Sequence, residues 1–295
     1  MNNDIKKSTL KRILSAFLAL PLYCYCFTTD NFYSIPILIV SMLISLICLI
    51  EYYLMCNNSN EIKPFMLWGC LAGACVNITI YLFAFGHLFG LNINQAFDAR
   101  VIFALLTIFL AIILTLQVFR RPIRGGITSL AVTVFGVIYI VFSFSHIILM
   151  KSLNDGFYYI LILNIVIIIN DTAAYFGGIS IGRHKTNFEV SPNKSWEGYA
   201  FGIIGSVLAM IITSEIFSAY FDKHLFTLLE STILGIFLGI LGHIGDLIES
   251  VIKRDSNSKD SGSIIPGHGG MWDVFDALIY TFPFFYYYLI LKGIS

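Results

Sequence analysis

The polar side chains best suited to phosphate and metal chemistry lie between His243 and Asp276, in the last third of the chain. Helical residues spaced at i, i+3, i+6, i+7 and i+10 share one face. A helix that continues to Lys253 therefore carries one polar stripe. The residues of this stripe are His243, Asp246, Glu249, Ser250 and Lys253. Glycines and apolar residues flank Asp246, which places this carboxylate near a membrane surface, where a charge is costly and indicates function.

Two more acids, Asp273 and Asp276, open the next apolar stretch with a spacing that points both carboxylates the same way on a helix. Proteins usually hold Mg²⁺ with one or two carboxylates together with substrate phosphates. We therefore expect Asp246, Asp273 and Asp276 to form an oxygen-ligand set for Mg²⁺, with a phosphorylated substrate. The alternative for Asp273 is a capping role at the positive end of the helix dipole.

A glycine-rich loop separates the stripe from these two acids. It reads S-G-S at 261–263 and P-G-H-G-G at 266–270. Glycine reaches positive φ without strain and lets backbone N–H groups approach an anion closely. The loop, and Gly269 and Gly270 in particular, is therefore expected to contact phosphate, although a plain turn would have the same composition.

Two further polar motifs precede the stripe. The first is N-D-T-A-A-Y-F-G-G at 170–178, and the second is S-P-N-K-S-W-E-G at 191–198. A helix start at Ser191 and an interfacial aromatic at Trp196 would explain the second motif equally well. The topology predicted below brings both motifs and the stripe to one membrane face, which favours a shared site.

The elements that position these residues are predicted to be membrane helices. The 295 residues are 57% hydrophobic and only 12% charged, against about 25% charged in soluble domains, and the mean hydropathy is +0.81. A spanning helix needs about 20 apolar residues. This criterion predicts an all-α polytopic bundle of about nine transmembrane spans, at 10–28, 33–55, 65–89, 98–119, 126–150, 156–177, 197–217, 225–248 and 273–292.

The distribution of basic residues predicts the orientation, because cytoplasmic loops collect Lys and Arg. A cytoplasmic N-terminus leaves only Arg100, Lys151, Lys223 and Lys292 outside, so fourteen of the eighteen basic residues lie inside. The cluster at 120–124 is expected to be a topology anchor that touches lipid headgroups. The zero net charge gives no argument for a nucleic-acid partner.

The chain is expected to be a single integral membrane unit with two regions. The first five predicted spans contain few charges, so residues 1–150 are interpreted as scaffold helices, whereas 151–295 is interpreted as the catalytic region. The basic residues before the first apolar stretch indicate a first membrane helix rather than a signal peptide, because no small-x-small cleavage site follows. All six cysteines lie in the first 75 residues, without metal-ligand spacing, and are interpreted as buried apolar side chains.

The run from Ser250 to Asp276 closely resembles the signature of the phosphatidate cytidylyltransferase (CDP-diacylglycerol synthase) family. It reads S-V-I-K-R-D-S-N-S-K-D-S-G-S-I-I-P-G-H-G-G-M-W-D-V-F-D. The G-D-L-I-E-S segment before it and the two earlier motifs resemble that family's other motifs in the same order, over about the last 130 residues. The chain departs from the pattern at Val274, where the family usually has arginine, and at Asn193, where it often has lysine.

The resemblance implies that CTP and phosphatidate react to give CDP-diacylglycerol and pyrophosphate, in phospholipid biosynthesis at the cell (inner) membrane with a cytoplasmic active site. It implies Mg²⁺, with a second cation left open, and a homodimer is also left open. Catalytic roles are expected for Asp246, Lys253, Asp260 and Asp273, with Asp246 and Asp273 as the first-choice metal ligands and Asp276 and Asp260 near the metal. Contacts to nucleotide or lipid phosphate are expected for Ser191, Lys194, Ser195, Ser250, Arg254, Lys259, His268, Gly269 and Gly270.

Three other functions fit parts of the pattern. A CDP-archaeol synthase or a polyprenol kinase relative would share the site and differ in the lipid acceptor. A membrane transporter would also carry intramembrane acids and glycines, but its polar residues would gather near the midplane in repeated halves. An inactive relative is the third alternative, because of Val274.

Overall fold

The computed structural model describes residues 34–57, 62–90, 99–265 and 269–294. These residues form helices joined by short connections, with no β-strand among them beyond two isolated bridges. The helices are α1 (Ile35–Cys56), α2 (Met66–Phe85), α3 (Ala99–Arg120), α4 (Gly126–Phe135), α5 (His146–Ser152), α6 (Gly156–Ile181), α7 (Trp196–Phe221), α8 (Leu228–Asp255) and α9 (Trp272–Leu291). A 3₁₀ turn, Gly86–Phe89, extends α2, and a π-helical segment, Gly136–Phe142, continues α4 toward α5.

Eight helical segments of the described chain are long and apolar enough to cross a membrane. They correspond to the second through ninth predicted spans, and Gly126–Ser152 forms one span from α4, the π-helical segment and α5. The predicted span 10–28 lies outside the described residues. The expectation of an all-α, multi-pass membrane protein is therefore confirmed.

The described residues divide into two compact units. The first comprises the described residues within Met1–Ser152 and Asp255–Phe275, and the second those within Leu153–Arg254 and Asp276–Ser295. The first unit thus contains both α1 to α5 and the glycine-rich loop. The second contains α6, α7 and nearly all of α8 and α9.

In the first unit, buried polar groups join helices that are far apart in sequence. The amide of Asn77 on α2 accepts a hydrogen bond from Ser41 and donates one to Ser45, both on α1. The Tyr53 hydroxyl donates to the Thr133 carbonyl on α4 over 2.7 Å. Such hydrogen bonds fix the register between helices, since an apolar surface alone does not distinguish one rotation from another.

In the second unit, small residues let α6, α7 and α8 approach closely. A Cβ atom on Gly235 would come 2.5 Å from the Val207 Cα, and one on Gly202 would come 2.6 Å from both Asn170 Oδ1 and His243 Nε2. Close backbone approach through small residues is the usual way in which membrane helices pack. It brings the face of α8 that carries the predicted polar stripe into the interior of this unit.

Candidate active site

Three carboxylates of the second unit form one cluster. Asp246 and Glu249 stand three residues apart on α8, and Asp276 comes from the first part of α9. One carboxylate oxygen from each lies within 4.8 Å of the others. Glu249 and Asp276 are buried, whereas Asp246 is partly exposed. Among these three carboxylates, Asp246 is therefore the one that a ligand can reach.

The absence of a side chain at Gly245 allows this cluster to form. A Cβ atom there would come 2.8 Å from the Ala277 Cα and 3.1 Å from the Asp276 carbonyl oxygen. The backbones of α8 and α9 therefore touch beside Asp246 and Asp276. Any larger residue at 245 would separate the two helices that carry the carboxylates.

Two lysines accompany the carboxylates. Lys253 Nζ lies 2.7 Å from Glu249 Oε2, one helical turn along α8, and its side chain is only 13% exposed. The Lys194 ammonium pairs with Asp246 Oδ2. Burial lowers the pKa of Lys194, while the nearby carboxylates of Asp276 and Asp171 act in the opposite direction. Among the described residues, no lysine or arginine forms an ion pair with Asp276.

The connection between α6 and α7 positions Lys194. It folds back on itself through an isolated bridge between Lys185 and Ser195, and the Thr186 N–H donates to the Lys194 carbonyl over 2.9 Å. Ser195 then caps α7, because its buried hydroxyl accepts a hydrogen bond from the Gly198 N–H. The Lys194 ammonium also lies 5.6 Å from the centre of the Tyr199 ring. The backbone on both sides of Lys194 is thus fixed.

In the first unit, the glycine-rich loop is built around the carboxylate of Asp273. The Oδ2 atom accepts hydrogen bonds from the Ser261 N–H (2.9 Å), the Ser261 hydroxyl (2.9 Å) and the Gly270 N–H (2.7 Å). Gly269 adopts a φ of +102°, which only glycine reaches without strain. Asp273 thus closes the loop before α9, through hydrogen bonds from Ser261 and Gly270.

Glu51 on α1 anchors the same loop, and the sequence analysis did not select it. Its buried carboxylate accepts hydrogen bonds from the N–H groups of Met271 and Trp272, each over 2.9 Å. The Ser261 hydroxyl lies 3.1 Å from Glu51 Oε2. A Cβ atom on Gly262 or Gly270 would come 2.5 Å from a Glu51 carboxylate oxygen. These two glycines therefore leave room for Glu51 at the N-terminus of α9.

The remaining residues that the sequence predicted for the site differ in their exposure to solvent. Ser191 and Ser250 are half-buried, and Arg254, Lys259 and Asp260 are exposed. Arg254 Nε lies 3.5 Å from the Val190 carbonyl, beside the connection that carries Lys194. Asp171 is exposed on α6, and His268 lies outside the described residues.

The carboxylate cluster fits a divalent cation by its chemistry. Carboxylate oxygens are the ligands that Mg²⁺ prefers, and one or two usually suffice when phosphates complete the coordination. The two lysines offset two of the three carboxylate charges. The third negative charge is repelled by its neighbours, and this repulsion is strong because the cluster is largely buried. A bound cation would remove this repulsion. Glu249, rather than Asp273, is the third carboxylate that lies with Asp246 and Asp276.

The fold and this cluster define a multi-pass membrane protein that gathers acidic and basic side chains for phosphate chemistry. The sequence pattern of the cytidylyltransferase family matches residues 10–291. The chain therefore belongs to the cytidylyltransferase family, as the motifs predicted.

Individual relatives agree with this assignment. Phosphatidate cytidylyltransferase of Bacillus subtilis (strain 168) is 39% identical over 194 residues, 64% of this chain and 67% of the relative. The protein of the same name from Staphylococcus haemolyticus (strain JCSC1435) is 42% identical over 130 residues, 44% of this chain and 48% of the relative. Uncharacterized protein YnbB of Escherichia coli (strain K12) is 34% identical over 200 residues, 66% of this chain and 65% of the relative. The similarity thus spans from about half to two thirds of these relatives' length.

Proposed function

We propose that this protein transfers a cytidylyl group from CTP to phosphatidate. A phosphate oxygen of the lipid attacks the α-phosphorus of CTP and forms a new P–O bond. The bond from the α-phosphorus to the bridging oxygen breaks, and pyrophosphate leaves with that electron pair. The products are CDP-diacylglycerol and pyrophosphate. The lipid phosphate has a second pKa of about 6, so it is already a nucleophile at neutral pH and no covalent enzyme intermediate is needed.

The observation that carries this proposal is the cluster of Asp246, Glu249 and Asp276 with Lys194 and Lys253 beside it. Both substrates are strongly anionic, so catalysis depends on charge neutralisation and on alignment of the two phosphates. Lys194 and Lys253 supply positive charge beside two of the three carboxylates. Family membership and the names of the Bacillus and Staphylococcus relatives support CTP and phosphatidate as the substrates.

Mg²⁺ is the cofactor that we propose for this site, and Asp246, Glu249 and Asp276 would hold it. When bound, it would neutralise charge on the triphosphate. Lys194 and Lys253 hold their ammonium groups against two of these carboxylates. A phosphate that approaches the partly exposed Asp246 therefore meets the ammonium group of Lys194. Ser195 keeps Lys194 in place through its cap on α7.

The direct test is an assay of the purified full chain in liposomes with CTP, Mg²⁺ and phosphatidate. Formation of CDP-diacylglycerol and pyrophosphate in equal amounts is the expected result. Parallel reactions with a polyprenol and with an archaeal ether-lipid phosphate distinguish the other CTP-dependent lipid enzymes. Product from either alternative acceptor, with none from phosphatidate, would exclude the proposed reaction.

We also propose that the site faces the cytoplasm, as the distribution of basic residues indicates. Single cysteines introduced at Asn187 and Asn257, which follow α6 and α8, should react with a membrane-impermeant thiol reagent only from the cytoplasmic side. Both positions are outside the spanning helices. A parent chain in which the native cysteines are replaced serves as the control. Labelling of both positions from the outside would reverse the proposed orientation.

The replacement Val274→Arg is expected to be tolerated, with turnover at least equal to that of the parent. The Val274 side chain is 41% exposed in the first turn of α9, and a long arginine side chain near a helix end can extend to the membrane surface. The guanidinium could also bind a phosphate oxygen through two hydrogen bonds. Expression level and CDP-diacylglycerol synthesis are measured beside Val274→Leu, which changes size without adding charge. Loss of both in Val274→Arg alone would mean that this position requires an apolar side chain.

A further inference from the structure

The seam between α3 and α4, in the first unit, contains two cavities that the proposed reaction does not use. One lies at the end where the linker 121–125 joins the two helices, and it has a volume of about 240 Å³. Pockets that enclose a whole small molecule usually measure about 300–1,000 Å³. This cavity is therefore the size of a headgroup rather than of a complete ligand.

Three basic residues line this first cavity. Lys63, Arg121 and Arg124 contribute to its lining, and no described residue of the lining is acidic. Arg121 donates a hydrogen bond to the Lys63 carbonyl over 3.2 Å and lies 4.6 Å from the centre of the Phe65 ring. The Lys63 N–H in turn donates to Ser129 over 3.0 Å. The walls are thus held by their own contacts, and three basic residues in one lining suit an anionic group such as a phosphate.

Large apolar side chains around this cavity are unusually exposed. Phe119 is 81% exposed, Ile123 is 98% exposed and Ile127 is 86% exposed. Phe119 is on α3, Ile123 is on the linker and Ile127 is on α4, so each lies close in sequence to Arg121 or Arg124. Exposed apolar side chains beside cations are typical of the boundary between headgroups and hydrocarbon. The ligand of this cavity therefore approaches from within the bilayer, which favours a lipid phosphate over a phosphate dissolved in water.

The second cavity lies further along the same seam and is apolar. Its volume is about 210 Å³, and its lining includes Phe103, Leu106 and Leu110 of α3 with Val134 of α4. Leu110 precedes Gln117, which lines the first cavity, by seven residues. At 1.5 Å per residue this separates the two cavities by roughly 10 Å along the helix. A glycerophospholipid spans such a distance between its phosphate and the first part of an acyl chain.

We infer that this seam binds one anionic glycerophospholipid of the surrounding membrane, with its phosphate among Lys63, Arg121 and Arg124 and an acyl chain against Leu106, Leu110 and Val134. One cavity is lined by three basic residues and the other by apolar side chains, and they follow one another along one pair of helices. The site lies wholly within the first unit and uses none of the residues assigned to the carboxylate cluster.

The test measures which lipids stay bound to the full chain. The protein is released from nanodiscs that contain equal amounts of phosphatidylglycerol and phosphatidylcholine, and retained lipid is counted by native mass spectrometry. We expect one retained phosphatidylglycerol in preference to phosphatidylcholine. Lys63→Gln is expected to lower this preference about fivefold, the factor that corresponds to the loss of one basic residue near a lipid headgroup. Lys63→Gln is the preferred variant because the structure describes no contact of the Lys63 side chain that this replacement would remove.

Two further variants separate the polar and apolar parts of the site. Val134→Phe fills the apolar cavity and is expected to reduce retention of phosphatidylglycerol, although it leaves all charges in place. Lys151→Gln, at the other end of the span Gly126–Ser152, is the matched charge control and should retain the lipid normally. Equal retention of both lipids by the parent chain would overturn the inference. So would displacement of the lipid by millimolar inorganic phosphate, or normal retention in both Lys63→Gln and Val134→Phe.

Discussion

The replacement Asp276→Asn is expected to lower turnover by roughly 100-fold or more while the protein stays folded in the membrane. Asparagine keeps the shape of the side chain and removes the charge that the cluster with Asp246 and Glu249 contributes to a cation. Turnover is measured with saturating CTP and phosphatidate over a range of Mg²⁺ concentrations. The loss should be greatest at low Mg²⁺, because the variant binds the cation less tightly.

Thermal unfolding distinguishes this effect from simple damage. Three neighbouring carboxylates repel one another, so removal of one charge should leave the melting temperature without Mg²⁺ unchanged or higher. The increase in melting temperature that Mg²⁺ produces in the parent should become smaller in the variant, since ligand binding and stability are linked.

Asp222→Asn is the matched control for Asp276→Asn. Its carboxylate is 98% exposed, and its φ of 53° suits asparagine. Turnover near the parent level in Asp276→Asn would remove this carboxylate from the proposed metal site. A lower melting temperature without Mg²⁺ would indicate structural damage instead.

The replacement Glu51→Ala is expected to decrease the free energy of unfolding by about 2–5 kcal/mol and to reduce turnover further than the loss of folded protein explains. It leaves the buried N–H groups of Met271 and Trp272 without an acceptor, and the Ser261 hydroxyl loses one of two carboxylate neighbours. The first turn of α9 and the loop that Asp273 closes then lose their common anchor.

The effect of Glu51→Ala on catalysis is measured as turnover per folded molecule, and kcat and KM are determined separately. Glu51→Gln keeps an acceptor oxygen for one of the two N–H groups, so it should recover part of the lost kcat. Glu215→Ala, which removes an exposed carboxylate from α7, should change stability by no more than about 0.5 kcal/mol. If kcat per folded molecule were normal in Glu51→Ala, the residue would contribute to stability alone.

The sequence predicted the spans well because membrane insertion depends on the local composition of about 20 residues. The predicted span 156–177, for example, corresponds to Gly156–Ile181. The sequence placed Asp246, Asp273 and Asp276 in one predicted ligand set, because each lies at the end of an apolar stretch beside a polar motif. The contact of Asp246 with Asp276 depends on Gly245, and a glycine in a sequence does not reveal which backbone it touches.

Two residues of the candidate sites were not selected from the sequence. Glu249 was recognised as part of the polar stripe but was not included among the predicted metal ligands. The choice of Asp273 instead rested on its spacing from Asp276. Glu51 has partners 210 to 221 residues away, which no local pattern predicts. The available signal was a single acidic residue within the apolar helix Ile35–Cys56, since such residues are costly and rarely without a role.

The distance in sequence between Glu51 and its partners has a consequence for biosynthesis. Ser261 follows Glu51 by 210 residues, and translation at about 5–20 residues per second needs roughly 10–40 s to cover that interval. During this time α1 has already left the ribosome, and the carboxylate has none of its final hydrogen bonds. The nascent chain must supply this carboxylate with other hydrogen-bond donors until the glycine-rich loop emerges. Maturation of the first unit is therefore completed late, after nearly the whole protein has been synthesised.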